Sequence, residues 1–269
     1  MTQDVSHEHA DAGASAPAQA AERADAQADG AEADSASGSS SIHRIAAFDF
    51  DGTSIQGNSP VMLVRHLKRL DMLDKRVLAK IVSWGAAYKL HLPQSEAWVR
   101  GLVFTAFQGW RKSDADAFLA DFYDEAIEAR HRFRPQAEAA MRSYRSRGFD
   151  VVVVSATFAP IVRRAQQFHP LDACLSTEMA VDDQGFYTCE VDGECIEGEA
   201  KVRAITAWAD ARYGAGNWEL SAAFGDHHSD IPLLEAAVSP FAVSPNSTLS
   251  RVARERGWTT LHWDVDVEK

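Results

Sequence analysis

The plainest pattern in the chain is Val151-Val152-Val153-Val154, four apolar β-branched positions in a row with Phe149 two residues before them. An unbroken run of this kind predicts a strand buried on both faces of a parallel sheet. Ile45-Ala46-Ala47-Phe48 predicts another, ended by Gly52. Further strands are expected at 173–177, 220–224, 240–243 and 259–262, and helical spacing fills 135–146, 159–168, 200–212, 230–236 and 247–256. The helix over 135–146 ends in Arg145, Arg147 and Gly148, a usual C-terminus. Phe186-Tyr187-Thr188-Cys189, after Asp183-Gln184-Gly185, reads as half of a small hairpin. Strand and helix in alternation predict an α/β fold with a doubly wound parallel sheet.

Between the first two strands the period is helical instead. Ser59-Pro60 reads as an N-cap and first helical residue. Val61, Val64, Leu67 and Leu70 then keep one face, and Val77, Leu78, Ile81 and Val82 another. Leu92-Pro93 interrupts the run; Trp98, Leu102, Val103 and Ala106 resume it. Ser113-Asp114 is expected to cap a helix carrying Phe118, Leu119, Phe122 and Ile127. This predicts a compact helical bundle over 58–134, inserted into a core made of 42–57 and 135–269. Sites in doubly wound sheets lie beyond the carboxyl ends of the strands, so an insertion after the first strand would cover the site as a lid.

Composition changes the picture mainly at the N-terminus. The chain has 269 residues, 46% hydrophobic, enough for a sizeable core. Residues 1–41 are mostly Ala, Asp, Glu, Ser, Gln and Gly, with almost no large apolar residue and eight acidic side chains against one arginine. Such a segment cannot offset its ordering entropy and is expected to be disordered. It lacks the basic start and apolar stretch of a signal peptide. No run approaches the roughly eighteen apolar residues of a membrane helix, so no stable membrane association is expected. The formal charge of −12 argues against a nucleic-acid partner. Cys174, Cys189 and Cys195 form no CxxC. Reduced thiols in a cytoplasmic protein are expected, a Cys189–Cys195 bridge being the lesser alternative.

Candidate chemistry falls at the predicted strand ends. Asp49-Phe50-Asp51-Gly52-Thr53 places two carboxylates two residues apart, pointing the same way if the strand stays regular. Two carboxylates that close repel, and folding alone gives no reason for them. A divalent cation, or chemistry needing a nucleophile and a proton carrier, does. A polar turn is the competing reading. Ser155 follows the four valines, beside the expected start of a helix. It reads as a phosphate or oxyanion cradle, with an N-cap role for Ser155 or Thr157 as the plainer alternative. Lys201 stands in the first turn of a helix, where it opposes the helix dipole unless an anion balances it; simple solvent exposure is the alternative. Asp226 and Asp230 end another strand, four residues apart, at a spacing that suits a hard cation such as Mg²⁺. His227 and His228 between them have no partners at zinc spacing and are expected near the substrate entrance.

Taken in order, Asp49-x-Asp51-Gly52-Thr53, Ser155, Lys201 and Gly225-Asp226-x-x-x-Asp230 resemble the four motifs of the haloacid-dehalogenase (HAD) phosphatase superfamily, over about residues 44–262. The helical insertion resembles the C1 cap of its phosphoserine-phosphatase-like branch, subfamily IB. The resemblance implies a HAD-type Rossmann-like core and an Mg²⁺-dependent phosphomonoester hydrolase acting on a small phosphorylated metabolite. It implies Asp49 as nucleophile and Asp51 as acid and base. Ser155, Lys201, Thr53 and Gly52 would bind the phosphoryl group. Mg²⁺ would be held by Asp49, the Asp51 backbone carbonyl and Asp226, with Asp230 in the same acidic cluster. Phosphoserine phosphatases carry a glutamate where this chain has Asn58, and a neutral amide cannot pair with a substrate ammonium. The bulky Trp84, Trp98, Phe104, Phe107 and Trp110 form the cap's own core or line an apolar substrate pocket. The alternatives are phosphoserine phosphatase proper, a phosphotransferase, or a non-catalytic HAD-like binding protein.

Overall fold

A computed structural model of the chain describes residues 42–73 and 103–263. The expected tail over 1–41 lies outside the described residues, as do Val77, Leu78, Ile81, Val82, Trp84, Leu92, Pro93, Trp98 and Leu102.

The core is a six-stranded parallel sheet. Its strands are β1 (His43–Phe48), β2 (Asp150–Phe158), β3 (Ala173–Thr177), β6 (Trp218–Gly225), β7 (Ser239–Val243) and β8 (Thr259–Leu261). Their order is β3-β2-β1-β6-β7-β8, so the chain winds outward from β1 to one side and then from β6 to the other. The β1/β6 boundary is therefore the switch point, where connections leave in opposite directions and a crevice opens. The valine run Val151–Val154 is fully buried, as are Ile45–Phe48. Helices cover both faces, which is why these strands are apolar throughout rather than alternating. On one face Ile205, Ala209, Leu233, Leu234, Leu249 and Ala253 pack on Ile45, Ala47, Val152 and Val154. They come from helices α5 (Glu199–Tyr213), α6 (Ile231–Ala236) and α7 (Ser247–Arg256). The other face carries an aromatic stack, Phe48 on Phe224 at 4.2 Å and Phe224 on Phe241 at 4.6 Å, closed at its edge by Tyr144 of helix α3 (Pro135–Ser146).

Helix α1 (Ser59–Arg69) follows β1, but its N-cap is Asn58 rather than Ser59. Asn58 Oδ1 accepts from Val61 N at 3.0 Å, and Ser59 sits inside the helix with its N–H turned elsewhere. Helix α2 (Lys112–Tyr123) likewise begins at Arg111 without a side-chain cap; Ser113 Oγ bonds Asp114 instead. Its end widens into a π-helical turn, Asp124–Glu128. Helix α4 (Ala159–Ala165) is shorter than the sequence predicts, since Gln166–Phe168 turn back toward β3. A small antiparallel hairpin, β4 (Met179–Val181) and β5 (Tyr187–Val191), lies apart from the main sheet. The segment before α2 pairs with it: Gly109 N and Tyr187 N exchange bonds with Tyr187 O and Trp110 O at 2.8 Å each. All three cysteines are free thiols.

The segments that follow β1 and precede α3 meet in a short two-stranded contact. Ile55 pairs with Phe133, Gln56 N donates to Arg132 O at 2.7 Å, and Arg134 N donates to Ser54 O at 2.9 Å. Phe104 and Phe107 are fully buried and Trp110 packs against them, so these aromatic residues belong to the hydrophobic interior. Phe104 also meets Phe158 of β2, with ring centroids 4.2 Å apart.

Candidate active site

Two neighbouring strands, β1 and β6, deliver the acidic residues to one edge, and β2 beside β1 brings Ser155 and Thr157. Phe48 stands opposite Phe224 in register, and Asp49 N still donates to Phe224 O at 2.9 Å. The regular strand stops at Phe48, so Asp49 and Asp51 do not alternate along an extended strand as expected. The chain turns sharply there. Ser54 N and Oγ both bond back to Asp49 O, at 3.2 and 2.5 Å, and Gly52 N bonds Gly57 O at 2.9 Å. The turn sends the two carboxylates to different partners.

Asp49 faces Lys201 and the Asp226 loop. Lys201 Nζ lies 2.5 Å from Asp49 Oδ1 and 2.6 Å from Asp230 Oδ1. Lys201 is only 2% exposed, which overturns the solvent-exposed reading of that residue. Its position in the first turn of α5 makes sense through these two carboxylates, which outweigh the adverse helix dipole. They hold the ammonium well above its ordinary pKa although burial opposes the charge. Burial in turn raises the Asp49 carboxyl well above the usual range, against the Lys201 charge that lowers it.

Asp230 is fully buried and its acceptors are occupied. Oδ2 accepts from Asp226 N and His227 N at 3.1 and 3.0 Å, while Oδ1 takes Lys201. Its carboxylate folds the Gly225–Asp230 loop and seats the lysine. Gly225 is required here, because a Cβ on it would stand 2.5 Å from Asp230 Cβ. Asp226 accepts from Thr53 Oγ1 at 3.1 Å, and burial and the Asp230 charge push its pKa up to about 7. Thr53 is thus engaged with a carboxylate at the cluster. Gly52, at φ +77°, lies so close to Asp226 that a Cβ would come within 2.2 Å of Oδ2.

Asp51 points away from this cluster. Its Oδ1 accepts from Ser59 N at 2.5 Å, at the start of α1, and its Oδ2 accepts from Ser59 Oγ at 3.0 Å and, more closely, from Thr157 Oγ1. Burial raises its pKa, and these hydrogen bonds hold the rise in check. Ser155 is 2% exposed and its Oγ accepts from Thr157 N at 3.2 Å. Strand β2 runs on to Phe158, which precedes α4 with no side-chain cap bond, so neither Ser155 nor Thr157 is an N-cap.

Ser59 and Thr157, both on the Asp51 carboxylate, are residues that sequence reasoning passed over. Ser59 was visible only as a helix start and Thr157 only as a cap. Asn58 is exposed, and its side-chain oxygen is committed to capping α1. His227 Nδ1 lies 3.0 Å from Ser229 Oγ, and the His227 and His228 rings are 4.0 Å apart. Burial and the neighbouring ring lower the His227 pKa.

Oxygens of Asp49, Asp226 and Asp230 lie within 4.8 Å of one another, the one such cluster among the described residues. Hard carboxylate oxygens suit a hard dication. With Lys201 on Asp49 Oδ1 and Asp230 Oδ1, the second Asp49 oxygen and Asp226 are the groups that could hold it. Burial and the neighbouring carboxylates raise the pKa of both carboxyls, a repulsion that a dication between them would relieve. No helix among the described residues is long and apolar enough to cross a membrane.

Known proteins are related to this chain in sequence and in fold. The inhibition of morphological differentiation protein of Streptomyces azureus is 26% identical over 82% of this chain and 79% of its own length. A phosphoserine phosphatase of Mycobacterium tuberculosis is 26% identical over 79% of this chain and 68% of its own. A histidinol-phosphatase of Neisseria meningitidis is 22% identical over 82% of this chain and all of its own. A crystal structure of a Bordetella pertussis protein of unknown function superposes with a TM-score of 0.72 at 22% identity, covering 82% of this chain and 99% of that one; it shows the shared fold. The haloacid dehalogenase-like hydrolase family matches residues 46–235, most of the chain, and the chain belongs to that family.

Proposed function

We propose that the protein is an Mg²⁺-dependent phosphomonoester hydrolase that works through an aspartyl-phosphate at Asp49. The observation that carries the reading is the division of labour between the two carboxylates of one turn. Asp49 lies 2.5 Å from a buried lysine that also bonds Asp230 at 2.6 Å, where an electrophile and its charge can be received. Asp51 lies against neutral donors, with a pKa raised by burial, where a proton can be kept.

On this reading Asp49 attacks the phosphorus and the P–O bond to the alcohol breaks, dividing hydrolysis into two easier steps. Asp51 gives its proton to the departing alkoxide and then takes one from the water that cleaves the acyl phosphate. Ser59 and Thr157 keep the Asp51 carboxyl aimed while it cycles between these states. Lys201 and Ser155 receive the phosphoryl oxygens as charge redistributes. Thr53 and Asp230 act one contact further out, holding Asp226 and Lys201 respectively. When bound between Asp49, Asp226 and the Asp51 carbonyl, Mg²⁺ would offset the repulsion between a phosphate dianion and the carboxylates. The described parts of the insertion, 58–73 and 103–134, serve as a cap beside this edge of the sheet, with Ile55 paired to Phe133 where the chain enters and leaves it.

The substrate is a small phosphorylated alcohol or metabolite, in keeping with a phosphoserine phosphatase and a histidinol-phosphatase among the relatives. Asn58 argues against phosphoserine in particular: it carries no charge and its oxygen is spent on Val61 N. Purified protein should hydrolyse p-nitrophenyl phosphate with Mg²⁺ and lose that activity in EDTA. A panel of phosphorylated metabolites tests the substrate class. A clear preference for phosphoserine would overturn the reading of Asn58, and inactivity on every monoester would overturn the hydrolase reading.

A further inference from the structure

Behind the catalytic turn lies a buried cation that the chemistry above does not use. Arg134 is 7% exposed and precedes α3, at the point where the chain re-enters the core. Its guanidinium spans two backbone carbonyls from distant parts of the sequence: Nη2 donates to Gly52 O and Nη1 to Trp263 O, each at 3.1 Å. Its own N–H donates to Ser54 O at 2.9 Å. The arginine therefore grips the Gly52–Ser54 turn from side chain and backbone at once, and ties it to the end of the described C-terminal segment. A planar fork can hold two carbonyls in fixed relative positions, which an ammonium cannot.

The turn it grips is the one that sets Asp226. Gly52 packs directly on the Asp226 carboxylate, at a distance that excludes even a Cβ. The next residue, Thr53, donates its hydroxyl to Asp226 Oδ1 at 3.1 Å. The Gly52 peptide is thus held between Arg134 at its carbonyl and Asp226 at its Cα. Tethering the carbonyl fixes how closely the turn presses on the carboxylate.

We propose that Arg134 is a positioning residue for the metal carboxylate Asp226, setting divalent-ion affinity through Gly52 and Thr53. This rests on the hydrolase reading above, because it takes Asp226 as an ion ligand. A purely structural arginine would affect the melting temperature and leave ion affinity per folded molecule unchanged. Groups that orient metal ligands typically change affinity by about 10- to 100-fold when removed, and Arg134 acts through two such groups, Gly52 and Thr53.

The test is calorimetric titration of Mg²⁺ into the full-length wild type, Arg134→Met and Arg134→Lys, with p-nitrophenyl phosphate turnover measured across Mg²⁺ concentrations. Arg134→Met should weaken Mg²⁺ binding by at least about tenfold. It should raise the Mg²⁺ concentration for half-activation equally and keep kcat at saturating Mg²⁺ within about threefold. Arg134→Lys, able to reach one carbonyl, should fall between; it carries the test alone if the methionine variant does not fold. Wild-type affinity in a folded variant would overturn the role of Arg134 while leaving the hydrolase reading intact. A wild type that binds no Mg²⁺ would overturn both, and the wild-type titration shows which has failed.

Discussion

Replacing Lys201 with methionine removes the cation from between two buried carboxylates while keeping most of the side-chain volume. The ammonium lies 2.5 Å from Asp49 Oδ1 and 2.6 Å from Asp230 Oδ1. At an effective dielectric of about 20, each such contact represents roughly 6 kcal/mol of gross attraction. Much of that offsets desolvation, since all three groups are at least nine-tenths buried. Breaking a buried pair by deleting one partner costs about 3–5 kcal/mol net, because the remaining charge stays buried without compensation. Lys201→Met should therefore lose about 3–5 kcal/mol in urea unfolding at about neutral pH in EDTA. The loss should shrink at lower pH, where the Asp49 carboxyl, already pushed upward by burial, takes up a proton instead. Adding Asp230→Asn to Lys201→Met should cost less than the sum of the single changes, since the second substitution removes a charge that the first exposed. A loss below about 1 kcal/mol, the value for an exposed ion pair, would refute the account of Lys201 as the counter-charge of the site.

Stability without metal should depend on pH in a direction set by the same carboxyls. Asp226 is pushed up to about 7, above its unfolded value of 3.8, and Asp49 and Asp51 are raised as well. The folded protein then holds protons that the unfolded chain has released, so these groups favour folding below about pH 4 and that contribution is lost as pH rises through about 7. Melting temperatures in EDTA should fall across this window once other titrations are matched in an Asp226→Asn control, and saturating Mg²⁺ should flatten the slope; an Asp226-independent profile would contradict the shift. Thr157→Val removes a hydrogen bond that lowers the Asp51 pKa. If Asp51 is the acid, the alkaline limb of the kcat/KM profile should move to higher pH, and an unmoved limb would assign the proton to another group.

The core strands were readable because burial on both faces leaves an unmistakable mark: Val151–Val154 and Ile45–Phe48 are apolar at every position, and both are fully buried. The order of acidic motifs at strand ends was readable for the same reason, since each follows such a run. Local polar geometry was less so. Asn58 and Ser59 are both good capping residues, and the choice between them is made by Asp51, which takes the Ser59 N–H at 2.5 Å. Thr157 resembled a cap because a proline helix follows it, but β2 continues to Phe158 and leaves its hydroxyl for Asp51. Lys201 was readable as a phosphate-binding candidate but its carboxylate partners were not, since they stand 152 and 29 residues away. Arg134 gave no signal, because its partners are backbone carbonyls, and any residue can supply a carbonyl.

The central claim is that Asp49 carries the phosphoryl group during turnover. Acid quenching during steady-state hydrolysis of p-nitrophenyl phosphate, followed by intact mass and borohydride reduction with peptide mapping, tests it most directly. The account predicts a fraction of chains heavier by one phosphoryl group, with the reduced residue at position 49 and no adduct in Asp49→Asn. Modification at any other residue, or an Asp49→Asn variant that turns over at near wild-type rate, would contradict it.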